Sequence, residues 1–460
     1  MAVSQPARIG SYHIHTWGCQ MNVHDSEKLA GLLEREGYIK ALGEEDADVI
    51  LLNTCSIREK AAEKVFSELG RLRRLKTDGA GPLLGVCGCV AQQEGESIYK
   101  RAPYVDFVVG PRAIESIGPA LAKIRGGERG ALQVTDTEYR NDSIRFPFDE
   151  IQRIGESRAK AFITIIEGCN HRCTYCIVPT TRGREVYRPM SDVLAEVETL
   201  AGKGVVEVEF LGQTVNAYRD AEGNTLAELL VASAAIEAIR RIRFTTSHPA
   251  QMTDKLMDAM AAAQPKVCSY LHLPVQSGST AVLTRMRRGY DRETYLAKIE
   301  SMRSRVPDML FGTDIIVGFP GETEQDFQQT IQLLDEVQYD TVYSFAYSPR
   351  PGTRSLEMDD DLSPAEKHQR LQRLQDHQKT IQTARMARWL GRTVEVLVEG
   401  RSKRNAERWT GRTGEARVVN FDGPSQAGRF EQVEIMETSP FSLTGRVVAS
   451  ALDRDRPASI

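Results

Sequence analysis

The sequence predicts an α/β protein of three parts: an N-terminal parallel-sheet α/β domain, a central partial (βα)6 TIM-like barrel and a small C-terminal all-β barrel. Three observations lead to this fold class. Strand and helix patterns alternate over residues 12–126, six further strand–helix units follow over 161–347, and residues 391–452 carry short β-type runs. Strands that alternate with helices form parallel sheets, whereas short strands between glycine turns are typical of small barrels.

The composition narrows the class of protein. The 460 residues carry 59 Lys and Arg against 63 Asp and Glu, a formal net charge of −4. This excludes a uniformly basic nucleic-acid binder, although one domain can still be basic. No apolar run reaches the roughly 18–20 residues that span a bilayer, and the first residues do not resemble a secretion signal. We expect a cytoplasmic protein whose eight cysteines bind metal or catalyse rather than form disulfides.

The N-terminal domain is expected over residues 11–126. Its strand candidates are residues 12–16, 48–52, 83–86 and 105–109, and its main helices are predicted over 26–36 and 57–76. The charged, glycine-containing stretch 126–150 has no clear periodicity and is predicted to be a linker.

The central barrel is expected over residues 155–387. Its six strand candidates are residues 161–166, 205–211, 242–247, 267–273, 310–317 and 341–347, and a long amphipathic helix follows over 364–390. In barrels of this type the chemistry takes place at the carboxyl ends of the strands. The small β-barrel is expected over 388–452, with strand candidates at 393–398, 416–419, 432–435 and 443–449.

The strongest chemical signal is a C-x3-C-x2-C cluster, Cys169, Cys173 and Cys176, which follows the first barrel strand. Three thiolates on one loop can bind three irons of a [4Fe–4S] cluster and leave the fourth iron open. A structural zinc site is the alternative, but zinc needs four ligands and no fourth Cys is near. His171 lies inside the loop, where it is poorly placed to reach the same metal.

A second set consists of Cys19, Cys55 and Cys89, one after each of the first three predicted strands. In a parallel sheet these positions converge on one edge, where three thiolates could hold a second cluster with an open iron. Each cysteine alone could equally be a small buried hydrophobe. Cys87 is a rival to Cys89, but Cys89 lies beyond the predicted strand end. Cys268 is predicted to pack in the core as a strand residue.

The first cysteine set resembles the radical S-adenosylmethionine (SAM) superfamily. Residues 16–22, 53–55 and 88–92 resemble the N-terminal domain of the methylthiotransferase family of radical SAM enzymes. The Cys-Gln-Met-Asn form that begins at Cys19 looks most like the tRNA-modifying branch of that family. The resemblance covers residues 11–452, with the family's three domains in order.

This resemblance implies SAM and two [4Fe–4S] clusters as cofactors, with Cys19, Cys55 and Cys89 as ligands of one cluster. It also implies methylthiolation of adenine carbon 2 in N6-isopentenyladenosine at tRNA position 37. One SAM would donate a methyl group to sulfur at the N-terminal cluster. A second SAM would be cleaved at the other cluster to a radical that attacks the adenine. An electron donor such as flavodoxin or ferredoxin is expected, and the chain is expected to be a monomer.

The sequence also allows two alternatives to this function. The same chemistry could act on threonylcarbamoyladenosine in tRNA or on an aspartate of a ribosomal protein. The Cys-Gln-Met-Asn form and the basic C-terminal segment argue against the protein substrate. A non-enzymatic electron carrier or RNA-binding scaffold would need closed four-Cys clusters, and neither set offers a clear fourth Cys.

Five residues are candidates for contacts with SAM by their resemblance to family motifs or by their place at strand ends. Tyr175 occupies the aromatic position before the third Cys, where the family packs a ring near adenine. Gln213 lies where many radical SAM enzymes carry a Glu for the SAM amino group, but it brings no charge. Ser247 and Gln276 follow the third and fourth strands. Asp314 begins a segment like the family's glycine–isoleucine motif, although the family has Gly there.

Other polar residues near these strand ends could contact ribose, substrate or phosphate. His272 and Ser277 could do so, or they could satisfy the backbone of a turn. Arg182, Arg184 and Arg188 follow the cluster loop, and Arg can bind carboxylate or phosphate in bidentate fashion. We expect one of these three to face SAM or RNA and the others to lie on a solvated surface.

The C-terminal segment resembles the TRAM domain, an RNA-binding module. Residues 385–417 contain nine Lys or Arg and four Glu, and Trp409 and Phe421 are predicted at turns. Basic side chains contact phosphates, and exposed rings can stack on bases. We therefore expect this segment to bind the anticodon stem-loop of tRNA.

Overall fold

The computed structural model describes residues 9–56, 61–76, 81–126, 134–138, 144 and 159–448. It contains a six-stranded parallel sheet, a partial barrel and a closed five-stranded β-barrel, in that order along the chain. The predicted fold class is thus confirmed. In the part of the chain that is described, no helix is both long and apolar enough to cross a membrane.

The N-terminal domain is a parallel sheet in the order β2-β1-β3-β4-β5-β6, with helices on both faces. Its strands are β1 (Gly10–Trp17), β2 (Tyr38–Lys40), β3 (Val49–Thr54), β4 (Leu83–Gly88), β5 (Phe107–Val109) and β6 (Val134–Asp136). Its helices are α1 (Gln20–Arg35), α2 (Ala61–Leu72), α3 (Cys89–Glu94), α4 (Ser97–Arg101) and α5 (Ile117–Arg125). The central strands β3 and β4 are buried throughout, because apolar clusters cover the sheet on both faces.

Three predictions for this domain were incomplete or wrong. The sheet has two further edge strands, β2 and β6, and β6 lies within the stretch 126–150 that was predicted to be a linker. Most of that stretch lies outside the described residues, as do residues 57–60 of the second predicted helix. Helix α1 begins at Gln20 rather than at residue 26, because Cys19 is already its N-cap.

The central domain has six parallel barrel strands in the order β7-β10-β11-β12-β13-β14. A bridge between Ile242 and Val267 joins its two three-stranded halves. The strands are β7 (Lys160–Thr164), β10 (Glu207–Leu211), β11 (Arg241–Phe244), β12 (Tyr270–His272), β13 (Leu310–Val317) and β14 (Thr341–Ala346), with β8 (Ile166–Glu167) and β9 (Val186–Tyr187) as a small hairpin. Since β7 and β14 are edge strands, the barrel is open along one side.

Eight helices belong to this part of the chain. They are α6 (Val178–Arg182), α7 (Met190–Gly202), α8 (Leu226–Ala235), α9 (Asp254–Ala262), α10 (Thr280–Arg285), α11 (Arg292–Arg305), α12 (Glu324–Val337) and α13 (Pro364–Ala387). Helix α13 begins at a capping box formed by Ser363 and Glu366, with Pro364 as its first residue. Its last turn carries Met386 into the core of the C-terminal barrel, so the helix joins the two domains rigidly.

The C-terminal strands close in the order β15-β16-β17-β19-β18. They are β15 (Thr393–Arg401), β16 (Trp409–Arg412), β17 (Val418–Asp422), β18 (Phe430–Thr438) and β19 (Leu443–Val447). Phe421 is fully buried in this barrel, so its predicted place at a turn is wrong. In a strand, alternate residues face inward, and Phe421 falls on an inward position.

Asp340 is a buried polar link between the C-terminal barrel and the central domain. Its carboxylate accepts hydrogen bonds from Arg385 Nε (2.7 Å), Arg417 Nη2 (2.6 Å) and the backbone N–H of Phe311 (3.0 Å). Asp340 is buried, and so is Arg417. This arrangement fixes the angle between the two domains. If the domains moved apart, the buried carboxylate and the arginines would lose their partners, which is costly.

We expect Asp340→Asn to lower the free energy of unfolding by about 3 kcal/mol, because it leaves buried guanidinium charge uncompensated. The measurement is urea denaturation followed by circular dichroism and by Trp fluorescence. Asp335→Asn is the matched control, since Asp335 pairs with His377 at an exposed site on the same part of the fold. Equal stability of the two variants would contradict this role for Asp340.

Candidate active site

The loop with Cys169, Cys173 and Cys176 directly follows the β8 strand, above the carboxyl end of β7. The chain turns at Gly168, whose φ is +81°, and a Cβ there would lie 2.1 Å from the carbonyl oxygen of Arg184. Only glycine fits such a position. The Cys169 N–H donates to the Gly183 carbonyl (3.1 Å), which holds the start of the loop against the chain that leaves it.

The thiols of this loop lie in an environment that disfavours free thiolates. Burial raises the pKa of Cys176 to about 12, and burial also raises the pKa of Cys169. Arg288 Nη1 donates to Cys173 Sγ (3.3 Å), which brings one positive charge to the loop. Three partly buried thiolates need more positive charge than one arginine supplies, and bound iron would provide it.

Cys19, Cys55 and Cys89 meet at the carboxyl edge of the N-terminal sheet. They follow the adjacent strands β1, β3 and β4, as the sequence predicted. The thiols of Cys19 and Cys55 are hydrogen-bonded to each other, and this bond is the main cause that lowers the pKa of Cys19 to about 6. Arg182 Nε donates to Cys89 Sγ at 3.3 Å. The structure therefore brings together the second cysteine set.

The two remaining cysteines lie in apolar surroundings. Cys87 is inside β4 and belongs to the same apolar cluster as Tyr12 and Leu33, and burial raises its pKa to about 12. Cys268 is buried as well, and burial raises its pKa to about 11. Cys268 thus lies in the core as predicted, and Cys87, the rival to Cys89, lies inside the strand while Cys89 follows it.

Neither cysteine set has the compact form of a single-ion site. Within the described ranges, neither set brings all three sulfurs within 4.8 Å of one another. His171, the alternative zinc ligand, stacks on His248 with 3.8 Å between ring centroids. The sets thus fit a larger group such as a four-iron cluster better than one zinc ion. The compact group of His15, Glu44 and Glu68 is different, because Arg71 already binds both carboxylates.

Three of the five predicted SAM contacts have hydrogen-bond partners in the protein, and one of the three is Tyr175, whose hydroxyl accepts from Arg288 Nη1 (3.3 Å). Gln213 Oε1 accepts the N–H of Gly168, so this side chain holds the cluster loop. The Asp314 carboxylate lies 3.0 Å from His272 Nε2, and the His272 ring packs edge-on against Tyr343. Gln276 has a φ of +79°.

The other two SAM candidates face a polar and an apolar part of the same region. Ser247 is buried, and its hydroxyl has no hydrogen-bond partner among the described residues; the same holds for His248 Nε2. Tyr175 packs its ring against Phe319, with 6.5 Å between centroids. The backbone beside Ser247 is unusual too, because Thr246 has a φ of +64°. Unpartnered polar atoms and backbone strain at strand ends are typical of a ligand site.

A cavity of about 600 Å³ is lined by residues of the barrel strands β7, β10, β11, β12 and β14. All three domains line it: Gln20 from the N-terminal domain, Lys160, Phe162, Glu209, Arg243, Tyr270, His272 and Tyr343 from the barrel, and Glu399, Arg412 and Arg417 from the C-terminal domain. Gln20 Nε2 donates to Glu209 Oε1 (2.7 Å) at its upper edge. The volume is large enough for a nucleoside.

The arginines after the cluster loop do not lie as the sequence analysis expected. Arg184 is exposed, whereas Arg182 and Arg188 are buried in ion pairs with Asp25 (2.6 Å) and Glu196 (2.5 Å). The expectation that two of them form a solvated surface is therefore wrong. Sequence reasoning missed Asp25 as the partner of Arg182, because no local pattern reports a contact between residues 157 positions apart.

The C-terminal domain keeps part of its positive charge at the surface. The exposed basic residues are Arg388, Arg392, Arg401, Lys403 and Arg404. Trp409 lies in β16 rather than at a turn, with the guanidinium of Arg401 3.8 Å from its ring centre. An arginine stacked on a half-buried indole is a surface suited to phosphates and bases.

Residues 11–110 match the family described as Uncharacterized protein family UPF0004, residues 163–334 match the Radical SAM superfamily, and residues 387–448 match the TRAM domain. Among solved structures, the radical SAM methyltransferase TsrM from Kitasatospora setae has a TM-score of 0.55 at 15% identity, covering 75% of this chain and 76% of that one. At such identity the likeness shows the fold alone.

Curated relatives are far more similar. The tRNA-2-methylthio-N(6)-dimethylallyladenosine synthase of Haemophilus influenzae is 47% identical over 447 residues, which is 95% of this chain and 92% of the relative. The protein of the same name from Cronobacter sakazakii is 46% identical over 445 residues, with the same coverage. The resemblance inferred from the motifs is thus confirmed. This chain belongs to the tRNA-2-methylthio-N(6)-dimethylallyladenosine synthase family of radical SAM methylthiotransferases.

Proposed function

We propose that this protein methylthiolates carbon 2 of N6-isopentenyladenosine at position 37 of tRNA, giving the 2-methylthio derivative. One observation carries the proposal beyond the family name. Two three-thiol sets, each without a fourth Cys among the described residues, lie at the carboxyl ends of the strands, and Gln20, the neighbour of Cys19, lines a nucleoside-sized cavity to which all three domains contribute. A carrier protein would need neither open iron sites nor a cavity.

We assign Cys169, Cys173 and Cys176 to one [4Fe–4S] cluster and Cys19, Cys55 and Cys89 to the other. When bound, these groups and SAM supply a carbon-centred radical and a metal-held sulfur. Around them the chain has defined tasks. Ser247 and His248 offer unpartnered polar atoms to SAM, and Tyr175 with Phe319 gives an apolar wall for its adenine. A closed, apolar wall excludes water that would quench a reactive intermediate.

We place the substrate adenosine in the cavity to which all three domains contribute. Tyr343 and Tyr270 line it and can stack on the base, and the His272–Asp314 pair offers hydrogen-bonding groups to an adenine edge. Arg412 on the cavity wall carries positive charge for the RNA backbone. The exposed arginines of the C-terminal barrel extend this basic surface.

The finer parts of the proposal rest on the family resemblance alone. We propose the anticodon stem-loop as the part of tRNA that is bound, and an electron donor such as flavodoxin or ferredoxin. We further propose that the protein acts in the cytoplasm as a monomer.

The function is tested with anaerobically reconstituted protein, SAM, dithionite and two tRNAs, one with N6-isopentenyladenosine and one with threonylcarbamoyladenosine at position 37. Nucleosides are then measured by mass spectrometry. We expect the methylthio product from the first tRNA only. Product from the threonylcarbamoyl substrate, or from neither, would overturn the assigned substrate.

Cysteine variants test the assignment of two clusters. We expect Cys173→Ala to abolish SAM cleavage to 5′-deoxyadenosine, because one iron ligand is lost. Cys55→Ala should retain cleavage but form no methylthio product, since its set supplies the sulfur. Cys87→Ala is the control, because Cys87 lies inside β4. Methylthiolation that survives in Cys55→Ala would contradict the assignment.

We expect His272→Ala to lower kcat/KM for tRNA by roughly 10–100-fold, the size of a lost hydrogen bond in a buried site. SAM cleavage in the absence of tRNA should stay at the wild-type rate. His377→Ala serves as the control, since His377 pairs with Asp335 at the surface of α13. An unchanged kcat/KM in His272→Ala would exclude this residue from substrate binding.

A further inference from the structure

The N-terminal domain and the barrel each send charged side chains across their interface, where these side chains bind the other domain. From the N-terminal side, Arg112 Nη2 donates to the backbone carbonyls of Glu167 (3.0 Å) and Arg184 (2.5 Å). Glu167 lies two residues before Cys169, so Arg112 holds the start of the loop that carries Cys169, Cys173 and Cys176. Lys28 adds an ion pair of 3.5 Å to the Glu167 carboxylate.

From the central domain, Arg182 reaches into the N-terminal domain. Its Nη2 donates to Asp25 Oδ2 (2.6 Å), and its Nε donates to Cys89 Sγ (3.3 Å). Arg182 is 2% exposed. Its third nitrogen, Nη1, is buried and has no hydrogen-bond partner among the described residues. A donor of this kind, left open beside three thiols, points to a group that the thiols hold.

The cost of this arrangement argues against a purely structural role. Burying a guanidinium costs several kcal/mol, and a single carboxylate partner offsets this only with good geometry and further hydrogen bonds. Here one of the two further donors is directed to a sulfur and the other has no partner in the described protein. An arginine fork can bind a carboxylate and a neighbouring anion at once, which a lysine cannot do with the same geometry.

We propose that Arg182, a residue of the central domain, is a positioning residue of the N-terminal cluster, the cluster assigned to Cys19, Cys55 and Cys89. It holds the sulfur of Cys89, places its remaining N–H toward the cluster and compensates part of the cluster's negative charge. Helix α6 begins two residues after Cys176 and ends at Arg182, so one short helix also sets the separation of the two cluster sites. This inference rests on the proposed assignment of Cys19, Cys55 and Cys89 to a cluster.

A measurable consequence is the reduction potential of the N-terminal cluster. A reduced cluster carries one more negative charge, and a neighbouring cation with N–H···S bonds stabilises it. Removal of Arg182 should therefore lower the midpoint potential of this cluster. The cluster of the core loop has its own arginine, Arg288, and should keep its potential.

The test is a redox titration followed by electron paramagnetic resonance, on the full chain with Cys169, Cys173 and Cys176 changed to Ala. In this background the signal comes from the N-terminal cluster. We expect Arg182→Gln to shift the midpoint potential to lower values at unchanged iron content per chain, and Arg182→Lys to shift it less. The matched control is Arg188→Gln, an equally buried arginine that pairs with Glu196, and it should leave the potential unchanged.

An unchanged potential in Arg182→Gln overturns the proposal, and so does an equal shift in Arg188→Gln. If Arg182→Gln does not hold iron, Arg182→Lys decides: a lowered potential supports the proposal, whereas a wild-type potential overturns it. The measurement needs neither tRNA nor turnover. A wrong substrate assignment would therefore leave it untouched, whereas absence of any cluster signal in the background variant itself would refute the N-terminal ligand assignment.

Discussion

The arrangement of the site depends on a property of parallel sheets: all strands end at the same edge. In the N-terminal sheet this property brings Cys19, Cys55 and Cys89 together although they are 36 and 34 residues apart in the chain. In the barrel the same property gathers the cluster loop, Ser247 and Gln276 above the strands. Because the N-terminal sheet docks on that end of the barrel, two loop-rich edges enclose one reaction space.

The terminal domains are fixed to opposite ends of the barrel by buried charge. At the carboxyl end Arg112 and Arg182 cross the interface, and at the amino end Asp340 binds arginines that belong to helix α13 and to the small β-barrel. Buried ion pairs contribute little net stability, but they require one relative position of the domains, because a displaced partner leaves an uncompensated charge. The barrel therefore sets the distance between the C-terminal domain and the two cysteine sets.

Much of this could be predicted from the sequence. The six barrel strands and both cysteine sets were found, because apolar runs and regular spacing are local signals. The edge strands β2 and β6 were missed, since each has three residues, too few for a pattern. Phe421 was misplaced because a turn signal outweighed the alternation of its strand. The partners of Arg182 lie 93 and 157 residues away, and no local pattern reports such a contact.

The polar face of α1 has a consequence for the growing chain. Gln20, His24, Asp25 and Lys28 all contact the barrel, at Glu209, Phe162, Arg182 and Glu167 respectively. Before the barrel packs on α1, water can solvate these polar side chains. The leucines on the opposite side of the helix would be unfavourable if they were exposed to water. The N-terminal domain leaves the ribosome first, and it can complete its sheet and await the barrel without an apolar patch that would attract other chains. The same polar side chains thus form the final interface and give α1 a face that water can solvate before the barrel is made.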